Sequence, residues 1–151
     1  MYYTIKKKMS AQDKPTITVE VTVNVKPEKA WELYNTPEHV QQWNNASPDW
    51  HTPKAENDLT EGGKFCYRME ARDGSFGFDF SGTYHKIVPQ KILEYRMDDG
   101  RLVEVLFGSK DGKTDISVTF EAESINSLEL QRDGWQAILN NFKGYAEQVN
   151  K

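Results

Sequence analysis

The sequence predicts an α+β fold in which one curved antiparallel sheet packs against a long carboxyl-terminal helix. Three patterns support this: an alternating apolar strand from residue 16, several strands joined by turn dipeptides in the middle, and an amphipathic stripe after residue 127. A sheet with one apolar face and a helix with one apolar stripe bury those surfaces against each other. We expect about six to seven strands, with two short helices after the first strand.

The first strand and the two short helices follow from local patterns. In TITVEVTVNV, residues 16–25, apolar residues alternate with polar ones, which is the period of a strand with one buried face. Pro27 and Pro37 each suit the first turn of a helix. PEKAWELYN and PEHVQQW are therefore predicted to be short helices, and the segment after them, containing Trp50 and His51, is predicted to be mostly loop.

The middle of the chain is predicted to be a meander of antiparallel strands. Four turn dipeptides separate its apolar runs: Asp73-Gly74, Pro89-Gln90, Asp99-Gly100 and Asp111-Gly112. Asp-Gly pairs of this kind are strong hairpin signals. In KILEYRM, the trio Leu93, Tyr95 and Met97 is more apolar than the alternate trio, so Glu94 is predicted to face outward.

The last predicted element is a helix from about residue 127 to residue 149. Asn126 and Glu129 resemble a capping box at its start. One apolar stripe runs along it at spacings of three and four. The stripe comprises Trp135, Ile138, Leu139, Phe142, Tyr145, Ala146 and Val149.

Length and charge limit the classes of function. A chain of 151 residues suits one domain, which we expect over residues 15–151 after a disordered amino-terminal extension, residues 1–14. A net charge of −4 argues against a nucleic-acid partner.

No apolar run has the roughly 18 residues that a bilayer span needs, and the lone Cys66 suits a reducing compartment. We expect no membrane span and a cytoplasmic location.

Signatures of catalysis are absent from the sequence. His39, His51, His85 and Cys66 do not have the spacing of metal ligands. No nucleophile elbow, phosphate-binding loop or dinucleotide fingerprint occurs. We therefore predict no catalytic residue, no metal ligand and no cofactor.

Five stretches in order carry a resemblance to a known family. They are TPEHVQQW, DWHTP, DLTEGGKF, RMEARDGSFGFDFSGTYHKIVP and GWQAILNNF. With the predicted order of elements, they make the chain resemble the activator of heat-shock protein 90 ATPase homologue family. That family belongs to the START-like, birch-pollen-allergen-like SRPBCC superfamily, and the resemblance covers about residues 16–148.

The resemblance implies a helix-grip fold with an apolar cavity between the sheet and the long helix. Cavities of this fold are often used for hydrophobic small molecules or lipids. The eukaryotic namesake stimulates a chaperone's ATPase and has a separate amino-terminal domain, which we do not expect here. The resemblance therefore implies the fold more strongly than it implies that activity.

Aromatic and apolar residues of the predicted strands and helix are the candidate ligand contacts. The alternative is that these residues simply form the core. Trp43, Trp50 and His51 are candidates for a lid across one end of the cavity, with their ring N–H groups as polar handles. The candidates for the walls are Tyr67, Met69, Phe78, Phe80, Tyr84, Tyr95 and Phe107 on the sheet, and Trp135, Leu139 and Phe142 on the helix.

Three functions remain open at the level of the sequence. The first is binding of a small apolar or amphipathic molecule without catalysis. The second is a protein-interaction module, acting on a chaperone or in a stress response. The third is an enzyme acting on a ligand bound in the cavity. We expect a monomer or a weak dimer.

Overall fold

The computed structural model describes residues 15–149, so the predicted disordered extension, residues 1–14, lies outside the described part. The seven strands and three helices follow the predicted order. They are β1 (Thr16–Val23), α1 (Pro27–Asn35), α2 (Pro37–Trp43), β2 (Trp50–Asn57), β3 (Lys64–Ala71), β4 (Gly77–Val88), β5 (Ile92–Met97), β6 (Leu102–Lys110), β7 (Lys113–Glu121) and α3 (Leu128–Val149).

The strands form one antiparallel sheet in the order β1-β7-β6-β5-β4-β3-β2. Strands β2 to β7 follow one another as a meander, and β1 pairs with β7 at the far edge. The sheet curls into a half-barrel, with α3 lying on its concave face and contacting β1. The predicted α+β architecture and the helix-grip fold are confirmed.

One local prediction is wrong, because the segment predicted to be mostly loop contains strand β2, which begins at Trp50. Trp50 pairs with Ala71 and His51 with Glu70, and the register then shifts before Lys54. A proline, Pro53, lies within that irregularity on an edge strand, where a missing N–H is tolerated. The interruption hides the alternation that marks the other strands.

The register places the predicted inward trio of β5 on the concave face and Glu94 on the convex face. Leu93, Tyr95 and Met97 are all buried there. Glu94 is also buried, on the opposite side of the sheet, with its Oε1 atom 3.4 Å from His85 Nε2. The residue paired with Glu94 on the neighbouring strand β6 is Glu104, which is also buried. Because these carboxylates lie behind the sheet, they are not part of the space between the sheet and α3.

Helix α3 packs its apolar stripe onto the sheet. Its cap is Ser127, whose Oγ accepts a hydrogen bond from the Leu130 N–H at 3.0 Å, while Asn126 bonds Glu123 instead of capping the helix. Trp135 stacks on Phe120 with 3.9 Å between ring centroids. Within residues 15–149, no helix has the length and apolarity needed to cross a bilayer.

Candidate functional site

A cavity of about 230 Å³ lies between the concave face of the sheet and α3. Its walls come mainly from β3, β4 and β5, with single residues from β1 and β7, and from the ends of α1 and α2 and the middle of α3. The lining residues are Val19, Tyr34, Asn35, Trp43, Asn44, Phe65, Tyr67, Met69, Phe78, Phe80, Tyr84, Leu93, Tyr95, Met97, Arg101, Val118, Trp135, Ile138 and Leu139.

Aromatic rings form most of the sheet wall. Phe65 is at their centre, with its ring centroid 4.8 Å from that of Tyr95, 5.1 Å from Tyr67 and 5.4 Å from Tyr84. Phe80 connects this cluster to the helix, because its ring meets Trp135 edge-on at 5.9 Å. Edge-to-face contacts of this kind hold rings in fixed orientations. The wall is therefore apolar and well ordered.

Four tyrosine side chains bring hydroxyl groups to this apolar space. Burial raises the pKa of Tyr34, Tyr67, Tyr84 and Tyr95, and the nearby hydroxyls of the same cluster add to the rise at Tyr34, Tyr67 and Tyr95. Tyr84 donates a hydrogen bond to Asn57 Oδ1 at 2.8 Å. At neutral pH all four phenols are therefore uncharged, and they offer hydrogen bonds without charge.

Asn44 is the most unusual polar group of the wall. The residue is 5% exposed, and its Nδ2 atom has no hydrogen-bond partner among the described residues. Leaving a buried N–H donor unpaired costs on the order of 1–3 kcal/mol. Unpaired buried polar groups of this kind are rare in native structures, so this amide is an exception within the wall.

Arg101 is the cationic residue of the wall. It follows the turn between β5 and β6, and its Nε atom donates to Asp99 Oδ2 at 2.9 Å. The side chain is 15% exposed, and its positive charge acts against the rise in the pKa of Tyr95. The described lining thus contains one cationic side chain, which is paired with Asp99, and no aspartate or glutamate.

Nine of the thirteen residues predicted from the sequence line the cavity. Phe78 lies at its rim, because it is 41% exposed and also contributes to the lining. Trp43 also makes a structural hydrogen bond, in which its Nε1 donates to the Leu33 carbonyl oxygen at 3.0 Å. The nine are Trp43, Tyr67, Met69, Phe78, Phe80, Tyr84, Tyr95, Trp135 and Leu139.

The other four predicted residues lie away from the lining. Phe107 meets the rings of Trp31 and Tyr34 at 5.2 and 5.4 Å, in a packed part of the core. Phe142 is fully buried and meets Trp43 at 5.0 Å. Both face the concave side as predicted, but neighbouring rings fill the space in front of them.

Trp50 and His51 belong to strand β2 at the edge of the sheet. The Trp50 ring lies 6.1 Å from the rings of both Phe76 and Phe78. His51 Nε2 lies 4.0 Å from Glu70 Oε1. Of the three residues predicted to form a lid, only Trp43 reaches the cavity wall.

Sequence reasoning missed several lining residues, notably Phe65, Tyr34, Asn44 and Arg101. Phe65 has the same alternation as Tyr67 and could have been found from it. Tyr34 lies on the apolar face of α1, so its inward direction was also visible in the sequence. Asn44 follows the end of α2, and Arg101 follows the turn between β5 and β6. At such positions no periodic pattern indicates the direction of a side chain.

Metal ligation has no support in the described part of the chain. Within residues 15–149, no three histidine, cysteine, aspartate or glutamate side chains come together in an arrangement that would hold a metal ion. Cys66 is a free cysteine, and burial raises the pKa of its thiol, which favours an unreactive state at neutral pH.

A curled sheet around a long helix, with an apolar cavity between them, defines a helix-grip protein. The family model described as "Activator of Hsp90 ATPase homolog 1-like protein" matches residues 24–147, so the chain belongs to that family. No curated protein matches the chain.

Solved structures agree with the family assignment. The solution structure of an AHSA1-like protein from Aeromonas hydrophila is 43% identical, with a TM-score of 0.85, covering 90% of this chain and 94% of that one. A protein from Cytophaga hutchinsonii is 47% identical, with a TM-score of 0.78 and coverage of 89% and 94%. A Nitrosomonas europaea protein with 16% identity and a TM-score of 0.76, over 89% of this chain and 96% of that one, shares the fold.

Proposed function

We propose that the protein binds a small apolar or amphipathic molecule in the cavity between the sheet and α3. The observation that supports this most is the 230 Å³ space itself, lined by ordered rings and a few polar groups. Small-molecule sites typically combine an apolar wall with a small number of polar groups that fix orientation. The candidate contacts are the nine predicted residues of the wall together with Phe65, Tyr34, Asn44 and Arg101.

Native mass spectrometry of the freshly purified protein tests this proposal. We expect a discrete added mass that is lost on denaturation, and extraction with solvent would then give the chemical class of the ligand. Val118→Phe is a suitable control, because this buried residue lines the cavity and a phenylalanine ring there would fill part of it. The variant should therefore lack the added mass. A clean mass for the wild type, with no thermal shift against fatty acids, sterols and aromatics, would contradict ligand binding.

A second candidate function is interaction with a protein of the chaperone or stress-response type. The observation that favours it is an exposed aromatic patch formed by Trp50, Phe76 and Phe78, in which Phe76 is 61% exposed. Exposed apolar groups that adjoin one another often mark interaction sites. The family description, which refers to an Hsp90 ATPase activator, suggests the class of partner.

The ATPase rate of a purified Hsp90-type chaperone, measured with and without this protein, tests the second function. If the patch contacts the chaperone, Phe76→Ser should abolish any stimulation, and it should leave the cavity unchanged because Phe76 is not part of the lining. An unchanged ATPase rate with the wild-type protein would argue against this function.

A reaction in the cavity has no comparable support, and we do not propose one. General acid–base catalysis at neutral pH needs a group with a pKa near 7. The described lining residues include no aspartate, glutamate, histidine or cysteine, and the pKa values of the lining tyrosines are raised.

We also propose a cytoplasmic location and a monomeric or weakly dimeric state. The free thiol of Cys66 supports a reducing compartment. Light scattering during gel filtration would test the oligomeric state, and a stable larger assembly at micromolar concentration would contradict it.

A further inference from the structure

We propose that the ligand is an elongated amphipathic molecule, with one apolar end in the cavity and the rest of its chain on an outer subsite formed by Trp50, Phe76 and Phe78. This inference rests on the ligand-binding function proposed above and makes it more specific. Three observations support it: a strand register that continues the cavity wall into these three rings, the exposure of the rings, and the small volume of the cavity.

The register of β2, β3 and β4 places the outer subsite on the same face of the sheet as the cavity wall. On β3, Met69 pairs with Phe78, and both residues line the cavity. The next position of β3 on that face is Ala71, which pairs with Trp50 on β2. Side chains two residues apart on a strand share a face, and paired residues on neighbouring strands share it too. The concave wall therefore extends one row beyond Met69.

Ring contacts make the outer subsite one continuous surface. The Trp50 ring centroid lies 6.1 Å from those of both Phe76 and Phe78, which are themselves 6.2 Å apart. The Phe76 carbonyl oxygen accepts a hydrogen bond from the Ala71 N–H at 2.9 Å, which fixes the backbone of Phe76 beside the end of β3. Rings at these separations are in favourable contact. An apolar chain that leaves the cavity beside Phe78 therefore meets Phe76 and Trp50 next.

Phe78 marks the mouth of the cavity, because it belongs to the lining and is also 41% exposed. Phe76, further out, is 61% exposed and does not belong to the lining. Trp135 of α3 meets Phe80, one row inside Phe78, and within residues 15–149 no α3 ring contacts Phe76 or Phe78. Covering exposed apolar surface with an apolar chain is favourable, so this uncovered row can contribute to binding.

The volume of the cavity limits how much of a ligand it can enclose. A cavity of about 150 Å³ lined by apolar side chains holds benzene. By the same proportion, 230 Å³ holds about nine non-hydrogen atoms. A longer apolar chain must leave through the mouth. The hairpin tip beyond Phe76, residues 72–75, is exposed and polar, so a polar end group at that point remains in water.

The straight-chain series hexanoate, octanoate, decanoate and dodecanoate tests the proposal. The charge is the same in all four probes, and only the length changes. Hexanoate is short enough to fit within the cavity, whereas dodecanoate is too long for it. Isothermal titration calorimetry measures the affinities. We expect the affinity to rise about twofold for each added methylene group up to dodecanoate, since a half-covered methylene contributes less than a fully buried one.

Two surface variants locate the outer subsite. Phe76→Ser should weaken dodecanoate binding at least about fivefold and leave hexanoate binding unchanged, because Phe76 is outside the lining. Val149→Ser is the matched control, since Val149 is also an exposed apolar residue and lies about 21 Å along α3 from Trp135. This control should keep the full rise in affinity.

The indole N–H resonance of Trp50 gives an independent answer in the wild-type protein, including the case in which Phe76→Ser does not fold. Nuclear magnetic resonance of ¹⁵N-labelled protein should show that dodecanoate shifts this resonance and that hexanoate does not. An unshifted Trp50 resonance in the dodecanoate complex would overturn the proposal.

The remaining outcomes separate this inference from the function on which it rests. An affinity that stops rising at octanoate, with Phe76→Ser indistinguishable from the wild type, would overturn the outer subsite and leave binding in the cavity supported. Binding of none of the four probes, together with a clean native mass, would overturn both. If Phe76→Ser kept the full rise in affinity but lost stimulation of a chaperone, the exposed rings would belong to a protein partner and the proposal would be wrong.

Discussion

The space between the sheet and α3 has two halves, one filled with rings and one containing the cavity. In the filled half, Tyr34 meets Phe107, Phe142 and Trp43 with ring centroids 5.4, 5.3 and 5.1 Å apart. In the other half, the rings of β3 to β5, together with Val19 on β1 and Val118 on β7, border 230 Å³ of space. Both halves are built from the same kinds of side chain.

The short helices account for the difference. Helix α1 contacts β6, β7 and α3, and its Trp31 and Tyr34 enter the concave side at that end. Helix α2 contacts β2 and α3, and its last residue, Trp43, closes the boundary between the halves. No ring from α1 or α2 reaches as far as Phe65. An inward-facing aromatic side chain is therefore packed in the core where rings from α1 or α2 lie against it, and it borders the cavity where they do not.

The largest expected effect is alkaline unfolding, which tests whether the open half is shielded from water. Burial raises the pKa of Tyr34, Tyr67, Tyr84 and Tyr95. An unfolded chain releases these protons near pH 10, before the folded chain does. The stabilisation is thus complete below about pH 10 and is lost as the pH rises above it.

Tyrosinate absorbance and circular dichroism, recorded together from pH 8 to pH 13, measure this effect. We expect ionisation of the buried tyrosines to coincide with loss of secondary structure. If Tyr67, Tyr84 and Tyr95 ionised near pH 10 in a protein that kept its secondary structure, the open half would be accessible to water and not a dry apolar space.

The next effect compares the truncation of two α3 side chains, one that faces the filled half and one that faces the cavity. Phe142→Ala in the filled half removes a fully buried ring and should lower the free energy of unfolding by about 3–5 kcal/mol. Leu139→Ala, one turn earlier, removes a side chain that already borders the cavity, so it loses fewer contacts and should cost about 2–3 kcal/mol. Urea denaturation at neutral pH measures both, and a larger cost for Leu139→Ala would contradict the division into halves.

Introducing a phenylalanine should change the free energy of unfolding by different amounts on two neighbouring strands. Val105 on β6 and Val118 on β7 pair directly, and both are buried, but only Val118 is part of the described lining. Val105→Phe should therefore destabilise by about 1–3 kcal/mol through overpacking. Val118→Phe should change stability by less than about 1 kcal/mol while abolishing ligand binding. Equal costs for the two variants would show that the cavity cannot accept a ring.

Periodicity predicted most of the cavity wall because alternation fixes the face of a strand. Tyr67, Met69, Phe80, Tyr84 and Tyr95 were found in this way, and the helix spacing gave Trp135 and Leu139. The family resemblance supplied what periodicity lacks, namely that sheet and helix enclose a space.

Periodicity failed wherever the outcome depended on a second layer or on an irregular backbone. Phe107 and Phe142 point inward as predicted, but α1 and α2 supply the rings that cover them. The break between His51 and Lys54 places Trp50 and His51 on an edge strand beside the cavity. Asn44 follows the end of α2, and its backbone carbonyl accepts a hydrogen bond from Thr52 Oγ1, a contact that no local pattern encodes.

The smallest expected effect concerns a hydrogen bond that holds the open half in shape. Tyr84 donates to Asn57 Oδ1, and Asn57 Nδ2 donates to the Asn35 carbonyl oxygen at 2.8 Å, so this relay joins β4, β2 and the end of α1. Tyr84→Phe leaves the Asn57 acceptor unpaired and should cost about 1 kcal/mol. Tyr95→Phe is the matched control, since the Tyr95 hydroxyl makes no side-chain hydrogen bond of this kind within residues 15–149, and it should cost less. Urea denaturation of both variants measures the difference, and equal costs would mean that the relay does not fix the position of α1 over the cavity.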